Sequence, residues 1–306
     1  MRAPRTPAQI RAVNERYHDA AAHEYDAKWG IDFGAEGRRQ VLGKLDKALG
    51  PGPHGPFANA LEIGAGTGYF SLNLLVAGVL ERATCVDISP GMLDALRANA
   101  AAVGLDVRTR ACDAAELPFE DGAFDFIFGH AVLHHLPDLP AAFRAFHRVL
   151  RPGGALAFAG EPSRYGDRLA AVPKRAAKAL APVWRAAMRA GPAASTNGHP
   201  RRHTLERYVD VHAFAPDELR GYARDAGFED VRLRGEELLA SWFGWINRSL
   251  EATAEPEQVP WLWRQYAYRG YLALQEVDRV VLEPRLPPGV FYNLMLSARK
   301  PEPTRS

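Results

Sequence analysis

Hydrophobic positions along the chain switch between a helical and a two-residue period, and the switches mark out its elements. Helical spacing covers about 7–26 and 35–49, and the breaker PGPHGP at 51–56 separates these from a strand near 58–63. A helix from 68 and a strand ending in CVDI (85–88) follow. Ser89-Pro90 then supplies an N-cap and a first helical residue. LDVRTRAC (105–112) and AFDFIFG (123–129) read as strands, and 139–150 as a helix stopped by RPGG (151–154). ALAFAG (155–160) is a further buried strand, after which 163–213 holds no clear strand. A helix over 215–228 and a strand over 231–235 restore the rhythm. About 50 residues of aromatic-rich helix come next, and VFYNLMLSARK (290–300) closes as a strand.

This alternation predicts an α/β, doubly wound fold: a mostly parallel sheet of about seven strands, in one domain over 1–306. The core occupies 58–161 and ends in the strand at 290–300. Three additions accompany it: an N-terminal helical arm (1–50), a basic insert (163–213) and an aromatic-rich insert (238–285). A hydrophobic content of 47% suits a sizeable core, and 38 basic residues nearly cancel 36 acidic ones, so bulk charge names no partner. The N-terminus lacks the apolar stretch of a secretory signal, and no run approaches the ~20 apolar residues of a membrane span. A cytoplasmic protein is expected. Cys85 and Cys112 are too few for a disulfide framework or a zinc site and read as buried thiols.

The strand at 58–63 runs into LEIGAGTGYF (61–70). Glycines at such a turn let backbone approach a ligand. Gly64, Gly66 and Gly68 miss the dinucleotide fingerprint, because Tyr69 stands where its third glycine belongs. Strand alternation points Glu62 with Gly64 toward the ligand end, where a carboxylate opposes a pyrophosphate and suits an ammonium or sulfonium; the bland alternative is a solvent-facing Glu. Asp87 ends the next strand, placed for ribose hydroxyls, and Asp113 ends the third, placed for an exocyclic adenine amine. Three acids with no base in the turn describe a cationic nucleoside without phosphates.

LEIGAGTG, CVDISPGML, ACDAAELPFEDGAFDFIF, HAVLHHLPD and VLRPGGALAF together resemble the class I S-adenosylmethionine (SAM)-dependent methyltransferases, small-molecule type. The resemblance covers about 58–161 and is weaker beyond. It implies a seven-stranded sheet whose last strand is antiparallel. It also implies Gly64, Ala65 and Gly66 along the amino-acid end of SAM, Asp87 on the ribose, Ile88 and Met92 flanking the adenine, and Asp113 with Ala114 at its edge. His130 matches a position that contacts the methionine part, and YHDAAAHEYDAKW (17–29) looks like an arm that closes over SAM, with Tyr17 and Tyr25 eight apart.

Methyl transfer is an in-line displacement that needs positioning, water exclusion and sometimes a base. The candidate bases are His134 and Glu161; His135 reads as structural, and strand-to-helix geometry is expected to splay the histidines of HAVLHH apart, so no metal site is predicted. An acceptor that is already nucleophilic would need no base.

Residues 163–207 hold ten Lys or Arg against two acids. On a wheel for 169–190, Lys174, Lys178, Arg185 and Arg189 face one side, and Leu169, Val172, Leu180, Val183 and Ala187 the other. Pro173 and Pro182 argue against one unbroken helix. The favoured reading is a lid with its apolar side on the pocket; a membrane-surface element or an anionic-substrate site are alternatives. Sparse interleaved aromatics argue against nucleic acid. Trp242, Phe243, Trp245, Trp261, Trp263, Tyr266, Tyr268 and Tyr271 suggest an aromatic wall around a bulky apolar acceptor. The expected activity is O-methylation of a hydrophobic small molecule, such as a specialised metabolite or quinone-like compound, with S-adenosylhomocysteine as product. A membrane-peripheral lipid methyltransferase, or a SAM-binding protein catalysing another reaction, are the alternatives.

Overall fold

The computed structural model describes residues 4, 6–50, 52, 54–193 and 208–303, so the 194–207 part of the basic insert lies outside the described residues. Its centre is one seven-stranded sheet in the order β3-β2-β1-β4-β5-β7-β6. The strands are β1 (Ala60–Ile63), β2 (Ala83–Asp87), β3 (Arg108–Ala111), β4 (Phe124–His130), β5 (Leu150–Pro162), β6 (Glu229–Glu236) and β7 (Asn293–Arg299). β7 runs antiparallel to both its neighbours, and the pairings from β3 to β5 are parallel. The strand order reverses between β1 and β4, which opens a crevice at the carboxyl ends of those strands. One boundary differs from expectation: β5 already starts at Leu150 and carries RPGG within it.

Alternation sorts the strands into two cores. Leu61, Ile63, Val86, Ile127, Leu156 and Phe158 face α5 (Leu139–Val149) and α7 (Pro216–Asp225). Ala60, Cys85, Phe126, Phe128 and Ala157 face α2 (Ala35–Leu49), α3 (Tyr69–Val76) and α4 (Pro90–Ala102). Burying both faces explains why these strands are almost wholly apolar.

α1 (Pro7–Trp29) lies outside this sandwich and packs on α4. Asp19 accepts from Ser89 Oγ and from Gly91 N (2.9 Å), and Asn99 Nδ2 donates to Asp26 (2.9 Å). The C-terminal additions are α6 (Arg164–Met188), α8 (Leu239–Glu251) and α9 (Trp261–Val277). α6 is continuous through Pro173 and Pro182, contrary to expectation. Tertiary docking outweighs the roughly 3 kcal/mol that an interior proline costs: Gly166 sits on Phe291 O, and Ala170, Ala177, Ala181 and Trp184 are buried. The expectation that Leu169, Val172, Leu180 and Val183 face the pocket is overturned, because all four are exposed. The buried face is the small one, since alanines allow α6 and α8 to approach closely.

Buried charge joins the additions to the core. Lys44 and Lys47 of α2 donate to Glu236 at 2.7 and 3.3 Å, and Lys47 also reaches Glu283 at 3.0 Å. Burial alone would raise the Glu236 pKa, but the two ammonium groups hold it down to about 2. Asp278, fully buried beyond the end of α9, accepts from the backbone N–H groups of Leu238, Leu239 and Ala240 at 2.9, 3.0 and 2.9 Å. It therefore caps α8 from another helix. Asp278→Ala is expected to lower stability by about 2 kcal/mol, and Asp278→Asn, which keeps an acceptor, by less than half of that, as read from urea unfolding.

Candidate functional site

The crevice at the strand reversal is a cleft floored by β1, β2 and β4 and walled by α1. It brings together Tyr25, Gly64, Gly66, Asp87, Ile88, Met92, Asp113, Ala114 and His130. The glycine turn is shaped by sterics. A Cβ at Gly64 would lie 2.3 Å from Val132 Cγ2, and Gly64 and Gly66 take φ of +64° and +52°. A Cβ at Gly66 would meet nothing within 4 Å, so the turn's backbone lies open to the cleft.

Asp87 is 9% exposed and accepts from Gly66 N and Ser89 N, both at 2.9 Å. Burial raises its pKa, against the opposing pull of His18 and those N–H groups. Asp113 accepts from Ala115 N at 3.0 Å and pairs with Arg11 of α1 across the cleft. His130 stacks on Phe70 with ring centroids 4.8 Å apart, and burial pushes its pKa down to about 4, so it is neutral at pH 7.

Four residues expected at the cofactor do not border the cleft. Glu62 lies in the same strand register as Ala60, on the face under α3, where Ser71 donates to it from both its backbone N–H (3.2 Å) and its hydroxyl. Burial drives its pKa up to about 8, so it is no free carboxylate awaiting a cation. Gly68 is a packing glycine, since a Cβ there would lie 2.9 Å from Leu96. Ala65 is buried within the turn, its N–H donating to Val86 O. Tyr17 gives place to His18, its neighbour on α1.

Sequence reasoning missed Arg11, Asn14 and His18, which line the cleft with Tyr25. Their spacing of three, four and seven residues is helical, so one face of α1 carried the signal. Cys112 also borders the cleft and is only half-buried, unlike Cys85.

Beside the cleft, the turn after β4 is held by Glu161 of β5. Fully buried, Glu161 accepts from Val132 N, Leu133 N and His134 N at 3.0, 3.0 and 3.1 Å, and from His134 Nδ1 at 2.8 Å. Four donors occupy its carboxylate, which leaves it a positioning residue rather than a base. Burial would lower the His134 pKa, but Glu161 raises it, and Asp210 stands 3.6 Å from Nε2. His134 is thus an ion-paired side chain that does not line the cleft, whereas His135 does. The histidines are not splayed as expected: the His134 and His135 rings lie 3.9 Å apart. Candidate ligand atoms of His134, His135 and Asp210 fall within 4.8 Å of one another. His135 Nδ1 bonds to Val209 O at 3.1 Å, and His134 Nδ1 to Glu161, so hydrogen bonds and ion pairs account for the group.

The Methyltransferase domain family matches residues 61–158. Malonyl-[acyl-carrier protein] O-methyltransferase of Geobacter sulfurreducens is 30% identical over 74% of this chain and 73% of its own length. The protein of the same name from Serratia marcescens is 36% identical over 48% of this chain, which spans about half (53%) of that relative. Nocamycin O-methyltransferase of Saccharothrix syringae is 29% identical over 85% and 84% of the two chains. Among solved structures, the [4+2]-cyclase SpnF superposes with a TM-score of 0.58 at 19% identity, covering 99% of each chain, a likeness of fold. The chain belongs to the class I SAM-dependent methyltransferases, and SAM is its cofactor.

The Glu161–His134 pair carries a pH signature. A raised His134 pKa contributes stability that is fully present below its ordinary value of 6.5 and is lost as pH rises through the raised value. Glu161, held low by His134 and the turn's N–H groups against burial, contributes above its ordinary 4.5 and loses this as pH falls through the lowered value. His134→Ala is therefore expected to cost about 2–4 kcal/mol, most between the two ordinary values and progressively less at alkaline pH, as read from denaturant unfolding across pH.

Proposed function

We propose that this methyltransferase methylates an oxygen of a hydrophobic small molecule, such as a specialised metabolite or quinone-like compound. The observation that carries the cofactor half of the reading is the cleft itself: acids at two strand ends and an open glycine backbone under a helical wall. The names of the relatives, O-methyltransferases, support oxygen as the acceptor atom.

In this reading Asp87 holds the ribose hydroxyls, and Ile88 and Met92 flank the adenine. Asp113, with Ala114, holds its edge, which requires Arg11 to share or release that carboxylate. The Gly64 and Gly66 backbone and Tyr25 hold the amino-acid end, with the neutral His130–Phe70 stack beside it. When bound, SAM supplies an electrophilic methyl group, and the C–S electron pair stays with sulfur.

The chain's own contribution is positioning and exclusion of water. The Glu161–His134 latch fixes the Val132–His135 turn against the floor of the cleft. Burial leaves His18 and His135 with lowered pKa values, hence as neutral rings on the cleft wall. Neither Glu161 nor His134 then serves as the base, and an acceptor oxygen that is already ionised at neutral pH, such as a carboxylate or an acidic phenolate, needs none.

None of the eight aromatic side chains of the second insert lines the cofactor cleft. Trp245 and Tyr292 instead enclose Lys174, whose ammonium lies 4.2 and 4.9 Å from their ring centres.

Calorimetry on the full chain tests the assignment. SAM is expected to bind and NAD to give no heat. Asp87→Ala and Asp113→Ala should each weaken SAM by about tenfold to a hundredfold, as charge-assisted hydrogen bonds are lost. Arg11→Ala should leave affinity unchanged or tighten it, because it frees Asp113. Unchanged affinity in Asp87→Ala would remove the ribose from this position.

A further inference from the structure

The helix that crosses the C-terminal half of the chain turns its large aliphatic side chains outward. Leu169, Val172, Leu180 and Val183 are 44%, 69%, 61% and 69% exposed. They recur at helical spacing over α6, so they form one ridge about 21 Å long. Burial of α6 uses a different face, the alanines and Trp184 that meet α8. The ridge is therefore left over from folding.

Charge indicates what the ridge meets. Residues 164–189 carry seven Lys or Arg and one acid, Asp167. Arg168 and Arg175 flank the ridge on its solvent side, both exposed, and no acidic partner reaches them among the described residues. Trp184, near the helix end, packs edge-on against Trp263 at 5.2 Å. Trp261 and Leu262, just before Trp263, are 67% and 74% exposed. A tryptophan and a leucine are thus exposed next to the residue that packs on the C-terminal end of α6.

We propose that α6 seats this protein on the surface of an anionic lipid bilayer. Its ridge enters the headgroup–acyl boundary while Arg168 and Arg175 meet lipid phosphates. A second copy of the chain is disfavoured, because a two-fold contact would bring the same arginines face to face. A convex ridge one side chain wide fits a deformable bilayer better than the rigid surface of a folded acidic protein. The inference is independent of the acceptor's identity.

Vesicle flotation with the full chain is the test. One set of vesicles is phosphatidylcholine alone and the other contains roughly 30 mol% phosphatidylglycerol, an anionic lipid. Binding is expected only to the anionic vesicles, weakening as salt rises. Arg168→Gln and Arg175→Gln should each weaken it about fivefold. Val172→Glu with Val183→Glu should weaken it by about tenfold or more. These four positions are exposed, so an unchanged thermal midpoint and unchanged SAM binding serve as the check on folding. Should the glutamate pair unfold the protein, the two glutamine variants carry the test alone. Equal binding to both vesicle types, no binding to either, or full binding by the variants overturns the proposal. So does sedimentation showing a dimer that the same substitutions dissociate.

Discussion

A buried carboxylate with four donors organises the working end of this molecule. Glu161, at the end of β5, ties down the turn that follows β4 through three backbone N–H groups and the His134 ring. Val132 in that turn abuts Gly64, so the glycine backbone and the turn fix one another. The shape of the cleft floor thus traces back to one ion pair hidden from solvent. Such a pair offers little net stability over apolar packing, but it tolerates very few geometries. The sheet supplies the crevice, and the latch sets its contour.

Electrostatics around the cleft follow a division between positioning and binding. Glu62, Glu161 and Glu236 are all buried, and each is satisfied by the protein itself. Asp87 and Asp113 differ because they border open space as well as backbone donors. Burial has left the rings of His18, His130 and His135 neutral beside them. A site of this kind favours a cation chiefly through Asp87, with neutral aromatic and imidazole surfaces around it. Among the described residues, the one Lys or Arg on its wall is Arg11, which pairs with Asp113.

Strand alternation and turn chemistry made the sheet and nearly all its strand positions legible before any coordinates. They also pointed to Asp87, Asp113 and the glycine turn, all of which border the cleft, whereas Met92 followed only from the family resemblance. Glu62 shows the limit. The face of β1 on which it lies was readable, but not that α3 would cover that face and supply Ser71. Pro173 and Pro182 show another, since the docking that keeps α6 helical is tertiary. The amphipathic wheel of α6 separates its faces but does not say which of them packs. Its small residues, rather than its large ones, turned out to be the packing face. A hydrophobic stripe identifies a face that leaves water somewhere, but not which surface receives it. Arg11, Asn14 and His18 were missed for a different reason: each is unremarkable alone, and only the helix brings them to one side.

The arm α1 supplies four side chains to the cleft but packs on the fold chiefly through α4. Any ligand enclosed there is held between the sheet and a helix whose own docking lies elsewhere, on α4. The contacts that seat α1 are then part of what holds the ligand. The lifetime of the bound state belongs to the arm as much as to the contacts beneath it. A change on the far side of α1, such as one at the Asp19–Ser89 bond, would alter how long the ligand stays without touching it.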